Sequence, residues 1–168
     1  MQRAFLIAAC AATFAASACA QQASYSYFGA AGNVGCSPVG TLVTHTATNL
    51  PRIGTTFTVE VPASNGDCGY LCNLRLFATG LSDTAFQGVP LPVSTPGSCG
   101  QLRISLDTIA LMPIAASSGA TISNSLILPN AVGLVGMDFY QQSVSLTYIL
   151  GGLNGVAWGR AGHGTIGN

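Results

Sequence analysis

The chain has 168 residues, of which 49% are hydrophobic and only 6% charged, with five basic and five acidic side chains in balance. An ordinary domain carries about 25% charged residues, and without a basic run this chain offers little to nucleic acid or to an anionic membrane surface. The length suits one domain that buries about two-thirds of its surface.

Residues 1–20 read as an export signal. Arg3 supplies the charged start, Ala4–Ala16 a short apolar run, and Ala18-Cys19-Ala20 a small-residue cleavage site before Gln21. The run is too short to span a bilayer. A lipoprotein signal cut before an acylated Cys19 is the competing reading, and Ala16, where such a signal usually has Leu, favours simple secretion. Residues 21–168 are expected to form the single mature domain, with no membrane span.

Six cysteines occur, and four lie beyond residue 20: Cys36, Cys68, Cys72 and Cys99. An even number after an export signal predicts two disulfides, with three connectivities open. Cys68 and Cys72 are close enough in sequence to close a small loop. A zinc site would need two more converging ligands, and neither His45 nor His163 is near the pair.

Gln21–Val39 is a lead-in of small residues whose Tyr25, Tyr27 and Phe28 are expected to pack on the end of a sandwich. Leu42–Thr48 reads as a Thr-rich strand containing His45. In Thr55–Val61, Phe57, Val59 and Val61 alternate with polar residues, the cleanest half-buried strand in the chain. Leu74–Thr79 is another strand, Pro90-Leu91-Pro92 is extended, and Leu102–Ile109 alternates Leu102, Ile104 and Leu106 with polar residues. Ala120–Leu128 is a strand, and a helical turn fits Asn130–Leu134. Met137–Tyr148 (MDFYQQSVSLTY) is the longest strand-like run, and its length places it in the middle of a sheet. A bulge at Gln141–Gln142 would put Met137, Phe139, Val144, Leu146 and Tyr148 on one inward face. Asn154-Gly155 signals a hairpin into Val156–Ile166, a strand interrupted by Gly159, Gly162 and Gly164.

These elements predict an all-β fold, an antiparallel β-sandwich of about eight short strands, jelly-roll-like or immunoglobulin-like. An eight-stranded outer-membrane barrel would fit the length, but disulfide-type cysteines and Thr/Ser-rich outer faces oppose it.

The landmarks Phe28-Gly29, Cys36, Leu50-Pro51-Arg52-Ile53-Gly54, Gly88-Val89-Pro90-Leu91-Pro92, Pro96-Gly97-Ser98-Cys99, Gly133-Leu134, Phe139-Tyr140-Gln141-Gln142 and Leu153-Asn154-Gly155 occur in order. Together they resemble a short domain of exported proteins from planctomycete and related bacteria, whose biochemical role is not established. The resemblance implies a secreted β-sandwich and a Cys36–Cys99 bridge, which leaves Cys68–Cys72 as a local extra.

No catalytic, metal or cofactor residues are expected. G-x-S-x-G is absent, Glu60 is the only Glu, and no EF-hand run occurs. His45 and His163 read as surface histidines, and Asp138 as a solvated strand residue. The functional expectation is a non-catalytic secreted or cell-surface module with a structural or adhesive role. A glycan-binding module using Tyr70, Tyr140 and Trp158 as an aromatic platform is the alternative. Extracellular glycans or other surface proteins are the partners this implies.

Overall fold

The computed structural model describes residues 21–29, 44–63, 65–67, 71–113 and 120–168. Among the described residues, twelve strands run in chain order. They are β1 (Ser24–Phe28), β2 (Thr46–Ala47), β3 (Thr56–Pro62), β4 (Asn65–Asp67), β5 (Leu71–Gly80) and β6 (Ala85–Phe86), then β7 (Val89–Pro90), β8 (Ser98–Cys99), β9 (Thr108–Leu111), β10 (Thr121–Ile127), β11 (Asp138–Ile149) and β12 (Gly152–Thr165). A short 3-10 turn, Val132–Leu134, stands where a helical turn was expected ahead of β11.

The large sheet is ordered β1-β12-β11-β5-β4, with β9 added antiparallel to β5 and β8 parallel to β12. A smaller sheet, β10-β3-β2, packs over one of its faces. The sheets are not closed into a barrel, so the fold is the expected all-β sandwich. Phe57, Val59 and Val61 of β3 point into the gap, where Phe77 of β5 and Phe139 of β11 meet them, with Met112, Leu128 and Ile166 closing the ends. Burying a side chain of this size contributes about 1.5–3 kcal/mol.

The central strand is β11, but its faces differ from expectation. Against β5 its register runs unbroken from Tyr140↔Gly80 to Ile149↔Leu71. Phe139, Gln141, Ser143, Ser145 and Thr147 therefore face the small sheet's side. Tyr140, Gln142, Val144, Leu146 and Tyr148 face the opposite side. The irregularities lie in β12 instead. Gly159 and Arg160 oppose the single Ser143, and Asn154 is the extra residue between Thr147↔Gly155 and Tyr148↔Leu153. Met137 stands outside the core.

Two other expectations are corrected here. Asn154-Gly155 is not the hairpin turn: Ile149 pairs with Gly152, and Leu150 and Gly151 carry the turn with φ of 50° and 78°. Two consecutive positive φ values are what a two-residue turn between twisted strands requires. Leu102–Ile109 is not one continuous strand either: only its last two residues, Thr108 and Ile109, belong to one, as the start of β9. Leu102 and Ile104 are buried as their alternation implied, yet neighbouring loops and a side chain take the backbone bonds. Arg103 N–H donates to Gln142 Oε1, Leu102 N–H to the Val93 carbonyl and Ser105 N–H to the Ser82 carbonyl.

The glycines near the C-terminus do not interrupt β12 but seat aromatic rings. A Cβ at Gly164 would overlap the Phe139 ring, and one at Gly162 would overlap the Tyr25 hydroxyl. Gly164→Ala is expected to destabilise the fold by about 1–3 kcal/mol, the usual cost of overpacking a filled core. Urea unfolding checks it: the midpoint should fall with the slope unchanged, and an unshifted midpoint would show that the ring moves freely.

A candidate apolar cleft on the outer face of the large sheet

Away from the small sheet, the large sheet carries a second apolar layer. Leu76 and Ala78 of β5, Val144 and Leu146 of β11, and Val156 and Trp158 of β12 share this face. Val144 pairs with both Leu76 and Trp158, and Leu146 pairs with Val156. These six form the floor of a half-open cleft of about 330 Å³, walled by Thr95, Pro96, Leu106 and Ile109. The Thr95–Pro96 wall precedes β8, which lies parallel beside β12 with Ser98 opposite Val156, and Ile109 is placed by the pairing of β9 with β5.

One polar chain anchors the rim. Trp158 Nε1–H donates to Thr95 Oγ1 at 3.2 Å. The Thr95 hydroxyl donates to Ser98 Oγ at 2.6 Å, and the Ser98 hydroxyl returns to the Thr95 carbonyl at 2.7 Å. The indole N–H is thereby satisfied, which leaves the ring to line the cleft as carbon surface. Ile109 remains 55% exposed at the mouth. With no carboxylate, amide or imidazole in its lining, the cleft can accept an apolar group but has little with which to orient a polar one.

Of the three aromatics expected to form a platform, Trp158 lines the cleft. Tyr140 lies on the same face but outside the cleft, stacked on His163 with ring centroids 4.9 Å apart and edge-on to Phe28 at 6.1 Å. Tyr70 lies outside the described residues. Sequence reading missed Leu106, Ile109 and Pro96 as cleft walls. The shared parity of Val144 and Leu146, with Val156 and Trp158 across the turn, was the available signal.

The histidines take two different positions. His163 is in β12 and its Nε2 lies 3.0 Å from Asp138 Oδ1, with both side chains substantially exposed. The Thr165 hydroxyl donates to the same oxygen at 2.7 Å. That bond first, and then His163, hold the Asp138 carboxyl below its ordinary range. Burial, with the nearby Asp83 and Asp138 charges, pushes the Tyr140 phenol up. The pair sits on open sheet surface outside the cleft.

His45 is not a surface residue. It is fully buried between the sheets, beside Phe77 at 5.2 Å. The Tyr25 hydroxyl donates to Gln141 Oε1 at 3.0 Å, so the 2.9 Å contact with His45 Nε2 is a bond that the imidazole donates. His45 Nδ1 then holds a bare lone pair with no hydrogen-bond partner among the described residues. Burial first, and then the Arg160 charge, push the His45 pKa down from 6.5 to about 4. Arg160 itself lies 3.8 Å over the Tyr27 ring, a cation–π contact.

Among the cysteines, Cys99 is buried with a free thiol. The Cys36–Cys99 bridge implied by the resemblance is therefore not formed in this structure. Ser98–Cys99 is instead held in register against Val156–Ala157 of β12. Cys72 is disulfide-bonded, and Cys36 and Cys68 lie outside the described residues. Among the described residues no group of three His, Cys, Asp or Glu could hold a metal ion. No family model, curated protein or solved structure matches the chain.

His45 gives the fold an acid sensitivity. The folded protein favours neutral imidazole, so the unfolded chain binds the extra proton and stability falls as pH drops from about 6.5 to about 4. The loss over that window is on the order of 3 kcal/mol. His45→Gln keeps an N–H for Tyr25 but cannot titrate. It should flatten the dependence of Tm on pH in this window, and an unchanged slope would assign the effect to another group.

Proposed function

We propose that this protein is a non-catalytic interaction module of the exported β-sandwich type, which engages a partner polypeptide by seating one apolar side chain in the cleft beside Trp158. The observation that carries this reading is the composition of the cleft. Leu76, Val144, Leu146, Val156 and Trp158 surround about 330 Å³ of half-open space, within the range of ligand pockets. A partner's anchor residue placed there would be desolvated on most sides, the setting in which a single side chain dominates an interface.

Support for a non-catalytic role comes from the position of the titratable groups. Acid–base chemistry requires such groups to converge on a substrate site. Here His45 is enclosed between sheets, and Asp138 and His163 lie on open surface away from the cleft. Support for export comes from Arg3, the Ala4–Ala16 run and Ala18-Cys19-Ala20, and from the ordered landmarks shared with exported planctomycete-type domains. Glycan binding has less support, because the indole N–H is already bonded to Thr95 and no other polar fork stands beside the ring.

Cleft occupancy is measurable with a neutral apolar fluorophore such as 1-aminoanthracene. Saturable 1:1 binding is expected, displaced by N-acetyl-phenylalaninamide and not by cellobiose. Ile109→Arg adds a charge at an exposed position of the rim and should weaken fluorophore binding at least about tenfold, roughly 1.4 kcal/mol. Absence of saturable binding, or displacement by cellobiose alone, would overturn the reading.

A further inference from the structure

A strand at the margin of a sheet leaves half its backbone N–H and C=O groups directed away from the sheet. β10 is such a strand: among the described residues it pairs with β3 alone. Bonds just beyond its two ends set the phase. Ala63 N–H donates to the Ala120 carbonyl, and Leu128 N–H donates to the Thr55 carbonyl. Backbone direction alternates along an antiparallel strand, so Ile122, Asn124 and Leu126 turn their groups toward β3. Thr121, Ser123, Ser125 and Ile127 direct theirs outward.

Native proteins usually block such an edge with Lys, Pro or a bulge. Residues 121–127 read TISNSLI, with no charge and no proline, and their register with β3 has no bulge from Thr121↔Pro62 to Ile127↔Thr56. The chain as a whole carries no net charge to keep copies apart.

The same seven residues are nearly symmetric about Asn124, with serines on either side, then Ile122 and Leu126, then Thr121 and Ile127. We propose that β10 is a dimerisation edge, at which a second copy pairs antiparallel about a two-fold axis through Asn124. The small sheets of the two copies then join into one continuous sheet. In this register Ser123 exchanges backbone bonds with Ser125 of the second copy, and Thr121 does so with Ile127. All of these are outward-directed positions. Ile122 meets Leu126 of the second copy on the inner face, where Leu126 already packs against the core. The two Asn124 amides face each other across the axis and can bond to one another. Sliding by one residue would oppose inward- and outward-directed backbone groups, and sliding by two would set each amide against an aliphatic side chain. The interface is isologous and closes with two copies.

Sedimentation velocity on the purified chain tests this. A concentration-dependent monomer–dimer equilibrium is expected. Ser123→Pro removes an outward N–H that has no bonding role toward β3, and should leave a folded monomer by far-UV circular dichroism. Asn124 sits on the axis as a non-bonded pair, with Cα atoms about 4.5 Å apart, within disulfide range. Asn124→Cys should therefore form a covalent dimer on mild oxidation, whereas Ser123→Cys should not. A chain that stays monomeric at about 1 mM, a concentration that detects even weak pairing, would overturn the proposal. So would a dimer cross-linked through Ser123→Cys and not through Asn124→Cys. If Ser123→Pro fails to fold, the cysteine pair decides the matter alone.

Discussion

The fold depends on the way Tyr25 wedges between the two sheets. Its ring touches Phe57 of the small sheet at 5.1 Å and Phe139 of the large sheet at 6.3 Å. Its hydroxyl joins Gln141 to His45, and Gln141 continues to Thr79. One side chain therefore supplies both apolar contact and a hydrogen bond to each of two buried polar side chains, His45 and Gln141, where water is excluded. Burial, with Tyr27 beside it, raises the phenol's pKa, so the bridging hydroxyl keeps its proton. This arrangement exists because β12 offers Gly162 and Gly164 where any side chain would collide with the rings above. The missing side chains of these two glycines thus set how closely the rings approach β12 at this end.

The second organising constraint is that β11 is buried on both faces, with different chemistry on each. Toward the small sheet it presents Phe139 followed by Gln141, Ser143, Ser145 and Thr147. All five are buried, and Thr147 bonds to Asn73 of β5. Toward the other side it presents Val144 and Leu146 to the cleft. A strand of this kind has no polar face for solvent, and it carries a single charged residue, Asp138 at its start. Gln142 is the hinge between the two halves of that outer face. Its amide donates to the Gln101 and Gly159 carbonyls and accepts from Arg103, which fixes the Leu102–Ile104 segment over the sheet.

Periodicity made β3, β5, β10 and β11 legible in the sequence, because each is a regular strand whose side chains alternate. It failed where the competing signal was local. The apolar count in MDFYQQSVSLTY favoured a single buried face and hence a bulge, whereas the strand simply continues and a second apolar layer covers its other side. Asn154-Gly155 marked a real departure from regularity, but a bulge inside β12 and not its beginning. His45 looked exposed because threonines flank it, and only the position of Tyr25, remote in sequence, shows why an imidazole is tolerated in the core. Trp158 was singled out as an aromatic, while the cleft around it is built mainly from aliphatic residues of four strands and two loops that no short motif links.

Trp158 is the only tryptophan in the chain, and it stands on the opposite side of the large sheet from the Phe57–Phe139 core. Intrinsic indole emission from this protein is therefore a local signal, reporting on β12, Thr95 and the β8 segment, and blind to the space between the sheets. Near-ultraviolet bands of Tyr25, Tyr27 and Phe139 report on that space. Two optical probes of one molecule thus watch the two sides of a single sheet, and any difference between their unfolding curves measures how strongly the two layers are coupled.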